Sequence, residues 1–339
     1  MNNRQIYKKW GRTIFVKFRS VRLYLLGFIG LLALVWLFAP REPADLTIDP
    51  DQIRVGSDVD AYLATREQQF DDVVVGVQKQ VIWAKEPGIR TPLSIVYLHG
   101  FTATSQEIRP VPDRVTKALG ANLYLARLTG HGRSADALAE ASIDHWMRDV
   151  SEALKVGTAI GQRLIVMGTS TGGTLTAAIA KDKAAIKNIA GFIFISPNFA
   201  INNRAATLLT WPFARHWVPL LIGDWQQTVP RNDLHARYWT TDYPTVALMP
   251  MAALVKAVDD LDFAEVDVPA LFYYSPKDQV VVAEKIAEFA KKWGGPHKTV
   301  MVDLRASDDI YAHIIAGDIV SPAQTQIAVD EMLAWIRAL

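Results

Sequence analysis

Short apolar runs alternate with longer amphipathic stretches through most of this chain. The runs fall at Val73 to Val77, Val81 to Trp83, Ser94 to Leu98, Asn122 to Leu128, Leu164 to Met167, Phe192 to Ser196, Ala270 to Tyr274 and Thr299 to Leu304. They are rich in β-branched residues and bounded by turn residues, the pattern of buried β-strands. Helix-period patterns occupy Pro112 to Leu119, Ile143 to Ile160, Thr174 to Lys183, Val282 to Trp293 and Ala323 to Leu339. Alternating strand and helix predicts an α/β protein whose mostly parallel sheet is covered on both faces.

Two regions break the rhythm. Pro197 to Asp262 shows no convincing strand but carries Trp211, Trp217, Trp225, Trp239, Met249 and Met251, and it predicts an inserted helical cap. Those side chains either line a pocket or hold the cap to the body, because a cap needs a core of its own. At the other end, residues 41–70 are polar and proline-containing, and they predict a linker followed by a short helix around Val59 to Phe70. The main domain is therefore expected over residues 71–339, with the cap at about 197–262.

Charge changes the picture at the amino terminus. The chain of 339 residues is near neutral at +1, with 36 basic and 35 acidic residues. Yet Arg4, Lys8, Lys9, Arg12, Lys17, Arg19 and Arg22 are not matched by any acid in that stretch. Setting those seven aside leaves 29 basic against 35 acidic residues, so the body is acidic and carries no basic stripe for nucleic acid. After this basic head, residues 1–22, the run Leu23 to Ala39 contains no charge, and as a helix its seventeen residues span about 25 Å. A transmembrane anchor over residues 23–40 is expected, with the basic flank cytoplasmic and the remainder extracytoplasmic, in the periplasm if the cell is Gram-negative. A cleaved secretory signal is the rival reading, but Leu37 and Ala39 make a poor cleavage site. The chain has no cysteine, which fits an oxidising compartment and a cytosol equally.

The candidate chemistry centres on VMGTSTGGTL, residues 166–175, where Ser170 stands between Gly168 and Gly172 directly after an apolar run. A strand that turns straight into a helix strains the residue at the bend, which is tolerable when its neighbours lack side chains. Such a bend lifts the hydroxyl above the sheet and points the amino terminus of the next helix at it. A serine hydroxyl is a weak nucleophile, so it needs a base and a group to orient that base. Sites in open α/β sheets lie outside the carboxyl ends of the strands. That rule favours His313, in the loop after the last strand, with His131 as runner-up; His297 precedes its strand, His216 and His235 belong to the cap, and His145 starts a helix. The same rule favours Asp278, after Ala270 to Tyr274, as the orienting acid, with Asp308 and Asp309 as alternatives. Backbone N–H donors for the developing oxyanion are expected from Thr171 and from the turn at Gly100 and Phe101, with His99 bracing that turn.

The ordered set HGFTAT, GHGRS, GTSTGG, SPKDQVV and a late histidine resembles the α/β-hydrolase superfamily, most closely capped bacterial carboxylesterases and monoacylglycerol-lipase-like serine hydrolases. The resemblance spans about Val73 to Leu339. It implies an eight-stranded sheet with an insertion after the sixth strand, a triad of Ser170, Asp278 and His313, and oxyanion donors at Phe101 and Thr171. Thr171 departs from the methionine, glutamine or leucine common in relatives. The implied activity is cleavage of carboxylic esters through an acyl enzyme, on a small-molecule ester or lipid-like substrate and without a metal or organic cofactor. An acyltransferase, thioesterase or peptidase would use the same nucleophile, and a catalytically silent binding protein on this scaffold is the reading from another class.

Overall fold

The structure is a computed structural model that describes residues 24–31, 33, 34 and 36–339. The described residues fall into two compact units: residues up to Arg41 with Trp211–Phe213, and Glu42–Thr210 with Ala214–Leu339. In the first, residues 24–31, 33, 34 and 36–38 are helical, and Trp36 meets Trp211 edge-on with ring centroids 4.9 Å apart. Among the described residues no helix is long and apolar enough to cross a membrane. The basic head at 1–22, and Leu23, Leu32 and Val35 of the expected anchor, lie outside the described residues.

The second unit is built on a sheet of β1 (Gln80–Ile82), β2 (Thr91–Leu98), β3 (Asn122–Leu125), β4 (Gly161–Thr169), β5 (Ile189–Ile195), β8 (Ala270–Tyr274) and β9 (His297–Met301). Their spatial order is β1-β3-β2-β4-β5-β8-β9, and only the β1–β3 pair is antiparallel. Among the described residues this sheet has seven strands in place of the eight expected. The missing one is Val73 to Val77, which forms a turn: Gly76 takes φ +95 and the Val77 N–H returns to the Val74 carbonyl at 3.2 Å. A run of five residues carries too little periodicity to distinguish a strand from a turn with apolar members.

The apolar alternation along the central strands feeds two cores. Val96, Val166, Phe192 and Phe272 face one, while Ile95, Ile165, Ile193 and Leu271 face the other. α3 (Ile143–Ile160), α4 (Thr171–Lys181) and α8 (Ala283–Lys292) contribute to the first core, and α2 (Val111–Leu119) and α9 (Thr325–Ile336) close the second. This is why the strands read as continuous apolar runs. α1 (Val59–Glu67) adds Val59 and Leu63 to the first core, and Ile48 and Val55 of the expected linker are buried there too. Under β1, Lys79 is buried between Asp149, at 2.9 Å, and Glu152, which also accepts from the Tyr62 hydroxyl at 2.6 Å.

Between β5 and β8 the insertion contains α5 (Ala214–Ile222), α6 (Asp233–Tyr238) and α7 (Leu248–Asp259). It is not purely helical, since β6 (Trp225–Gln227) and β7 (Asp242–Pro244) form an antiparallel ribbon of three residues each. Strands that short leave no alternation to read. α7 buries Leu254 and Val258 in the first core, so the tail of the insertion belongs to the body. Every strand of the parallel part ends on one edge, and the loops leaving β2, β4, β5, β8 and β9 converge there.

Candidate active site

Ser170 occupies the bend between β4 and α4 with φ 50 and ψ −115, a left-handed conformation that costs a non-glycine residue about 1–3 kcal/mol. Three backbone bonds hold it there. Its N–H donates to the Ile195 carbonyl at 3.0 Å, and its carbonyl accepts from Asn198 at 3.0 Å and Thr174 at 3.1 Å. The flanking glycines are dictated by close approach: a Cβ on Gly172 would sit 2.0 Å from the Leu98 carbonyl oxygen, and one on Gly168 2.3 Å from that of Gly172. Because those neighbours are backbone atoms that cannot swing aside, Gly172→Ala is expected to destabilise the protein by more than about 3 kcal/mol. Urea unfolding measures this directly, and a midpoint equal to that of the wild type would show that the elbow is looser than described.

The structure brings Ser170, His313 and Asp278 into one hydrogen-bonded line from loops far apart in sequence. His313 Nε2 lies 3.0 Å from Ser170 Oγ, and His313 Nδ1 lies 2.8 Å from Asp278 Oδ2. The other carboxylate oxygen, Oδ1, accepts the N–H groups of Val280 and Val281 at 2.8 and 2.9 Å, so the Asp278 side chain has one orientation. All three residues are buried. Burial disfavours a charged imidazole, yet the Asp278 charge and hydrogen bond, helped by Asp309 and Glu107, hold His313 above its ordinary value. An imidazole so placed is well supported once it has taken a proton.

The rival residues have other partners. His131 is buried with its ring 5.0 Å from that of His99, and its Nδ1 donates to the Thr129 carbonyl at 3.1 Å. Burial depresses it to about 4, the state of a neutral packing group. His99 braces the turn after β2: its Nε2 accepts the Leu128 N–H at 3.0 Å while its Nδ1 lies 2.9 Å from the Gly100 carbonyl. Asp308 accepts from Arg305 and Gln324, each at 2.9 Å. Asp309 serves the loop that presents His313, taking the N–H groups of His313 and Ile314 on Oδ2 at 3.0 and 2.9 Å.

Of the two residues in the oxyanion turn, Gly100 already donates its N–H to Glu107 Oε1 at 2.7 Å. The Phe101 N–H is the donor of that turn that Glu107 does not take. Thr171 is the first residue of α4, where an N–H has no intrahelical acceptor. The insertion is tied to this turn by the Thr240 N–H, which donates to the Thr102 carbonyl at 2.7 Å.

Above Ser170 lies a cavity of about 200 Å³, walled mainly by apolar side chains that include Phe101, Ile201, Val229, Trp239, Met251 and Val320. Of the insertion's large side chains, then, Trp239 and Met251 line the pocket, whereas Leu220 and Leu221 are exposed. Arg231 approaches Asp309 within 2.6 Å at its wall. Glu107, Asn198 and Arg231 border the cavity without having stood out in the sequence, and Asp309, there an alternative to Asp278, borders it too. Only Asp309 left a local sign, an acid a few residues ahead of a loop histidine, where short acidic side chains commonly bind backbone N–H groups.

Known proteins agree with this frame. Residues 91–306 match the family described as "Serine aminopeptidase, S33". The thermostable monoacylglycerol lipase of Bacillus sp. (strain H-257) is 26% identical over 190 residues, which is 56% of this chain and 72% of the relative. Among solved structures, one of the metagenome-derived lipolytic enzymes LipS and LipT superposes with a TM-score of 0.61 at 19% identity, over 79% of this chain and all 100% of the other. A soluble variant of monoglyceride lipase from Saccharomyces cerevisiae gives 0.56 at 13% identity, over 77% of this chain and 90% of that one. The structural likenesses establish the α/β-hydrolase fold, and the family match covers more than half of the sequence. The chain belongs to the serine aminopeptidase S33 family of α/β hydrolases.

Proposed function

We propose that the protein cleaves carboxylic esters by serine chemistry. The observation that carries the reading is the contact of Ser170 Oγ with His313 Nε2 at 3.0 Å. His313 takes the Ser170 proton as Oγ attacks the ester carbonyl; the carbonyl oxygen, now negative, is met by the N–H groups of Phe101 and Thr171. The alcohol leaves with the proton that His313 held, and an acyl group remains on Ser170. Water then loses a proton to His313 as it attacks the acyl carbon; the acid departs and Ser170 recovers its proton. Asp278 keeps the imidazole in the tautomer that presents a bare Nε2 and stabilises its charged form.

An apolar cavity of about 200 Å³ beside Ser170 suits the acyl chain of a lipid-like ester, in keeping with the monoacylglycerol lipase relative. The family description favours a second substrate class, aminoacyl amides, for the same nucleophile. The test is fluorophosphonate labelling followed by rates on an acyl chain-length series of esters, thioesters and aminoacyl amides. Labelling of Ser170 with esters turned over fastest is expected; fastest turnover of aminoacyl amides would instead make it a peptidase, and no labelling would remove the serine mechanism. The uncharged run Leu23 to Ala39 after seven cations further motivates a single membrane anchor, with the hydrolase domain extracytoplasmic. Alkaline carbonate extraction of membranes from cells expressing the full chain checks it: retention in the pellet supports the anchor, and release removes it.

A further inference from the structure

Glu107 is a buried acid beside the site whose one part so far is the charge that helps to raise His313. Its Oε1 accepts two donors, the Gly100 N–H at 2.7 Å and the Tyr97 hydroxyl at 2.5 Å. The Tyr97 phenol has a single proton, so the contact of its oxygen with Thr169 Oγ1 at 3.0 Å is one it accepts. Oε2 has no partner, and Glu107 borders the cavity that Ser170 opens into. The close quarters show at Gly100, where an added Cβ would meet both Glu107 Oε2 and Ser170 Cβ at 3.1 Å. One carboxyl oxygen thus clamps Gly100, which precedes Phe101, and reaches through Tyr97 to Thr169, which precedes Ser170 and Thr171. These are the two turns that carry the expected oxyanion donors, and they belong to different strands.

We propose that Glu107 is a positioning residue of the oxyanion site, coupling the β2 turn to the β4 bend through Gly100 and the Tyr97–Thr169 pair. The inference rests on the serine-hydrolase reading above. It adds a dependence on charge. A neutral Glu107 keeps its proton on Oε2 and holds both turns at no electrostatic penalty. An ionised Glu107 places a negative charge beside the position where the substrate oxygen becomes negative, which raises the barrier. Burial raises Glu107 to about 7, against the donors Tyr97 and Gly100 and the charge of His313, which pull the other way. The titratable groups acting on it are Tyr97, itself raised far out of range by burial, and His313. The sign follows: the favourable neutral form predominates below about 7 and is lost as pH rises through that value. Because His313 must be neutral to act as base, activity passes through a maximum between the two transitions.

The test measures kcat and KM across pH for the wild type, Glu107→Gln and Tyr97→Phe on a soluble ester. In Glu107→Gln the amide keeps both donors on Oε1 and cannot ionise. Wild-type kcat/KM is expected to fall by about fivefold or more over two pH units above its maximum, and Glu107→Gln to lose that falling limb. Tyr97→Phe unlinks Thr169 and removes a donor from the carboxylate. It should lower kcat by about tenfold with KM within about twofold, and move the falling limb to higher pH. Superimposable profiles of wild type and Glu107→Gln would overturn the proposal, as would a Tyr97→Phe limb that stays in place. Fluorophosphonate labelling separates the two failures. An unlabelled wild type removes the serine reading itself, whereas full labelling with superimposed profiles removes only the role of Glu107.

Discussion

Ser170→Ala is expected to lower ester hydrolysis by about 10⁴- to 10⁶-fold while leaving the protein folded. The size follows from the arrangement of the site. Ser170 Oγ is the atom that His313 Nε2 touches at 3.0 Å, so removing it leaves the imidazole and Asp278 with nothing to activate. Members of such a unit are not additive, and losing the nucleophile alone forfeits most of what the whole set supplies. Stability should change little, because the backbone bonds from Asn198 and Thr174 to the Ser170 carbonyl, and from Ser170 to Ile195, do not involve the side chain. Alanine inherits the strained φ of 50 and gains no relief. Active-site labelling, initial rates on a short-chain ester and a thermal melt together make the measurement. Rates within tenfold of wild type would sink the serine mechanism.

Asp278→Asn is expected to cost about 10⁴-fold in kcat through the tautomer of His313 rather than through lost structure. Oδ1 of Asp278 accepts two backbone N–H groups, so in the variant the carbonyl oxygen of asparagine must stay on that side. Its NH₂ then faces His313 Nδ1, where a donor meets a nitrogen that ordinarily donates. The imidazole responds by moving its proton to Nε2, the nitrogen that should take the proton of Ser170, and the base is lost. A second consequence concerns pH. Burial alone pulls His313 down and Asp278 is the chief group pulling it up, so its neutralisation should move the acid limb of the residual activity to lower pH. Rates across pH and the imidazole nitrogen signals in NMR check both points. A variant with wild-type kcat, or with the acid limb unmoved, would show that Asp278 does not govern the imidazole.

Much of this arrangement was legible in the chain because its rules are local. Strands buried on both faces must be apolar throughout, so β2, β4, β5 and β8 stood out as runs. A strand end followed by Gly-Thr-Ser-Thr-Gly admits few backbone paths, since a Cβ at position 168 or 172 would collide with main-chain oxygens. Parallel strands also share an edge. That is enough to bring residues 170, 278 and 313 to one rim without knowledge of their distances.

Other features depended on contacts that no short window contains. Val73 to Val77 has strand composition, yet Gly76 at φ +95 and a hydrogen bond from Val74 to the distant Gly132 carbonyl make it a turn. The Trp225–Gln227 ribbon exists only through its partner at Asp242–Pro244. The local sequence named both Gly100 and Phe101 in the turn after β2, and only the fold shows the Gly100 N–H engaged by the Glu107 carboxyl.

By itself, then, the sequence determined the α/β layering, the bend at Ser170 and which loops meet at the carboxyl edge, because periodicity and steric exclusion act between near neighbours. Tertiary structure alone decided the strand count, the shape of the insertion and the burial of Glu107 against the turn after β2. Those outcomes rest on hydrogen bonds and desolvation between segments whose separation along the chain carries no record of their distance in space.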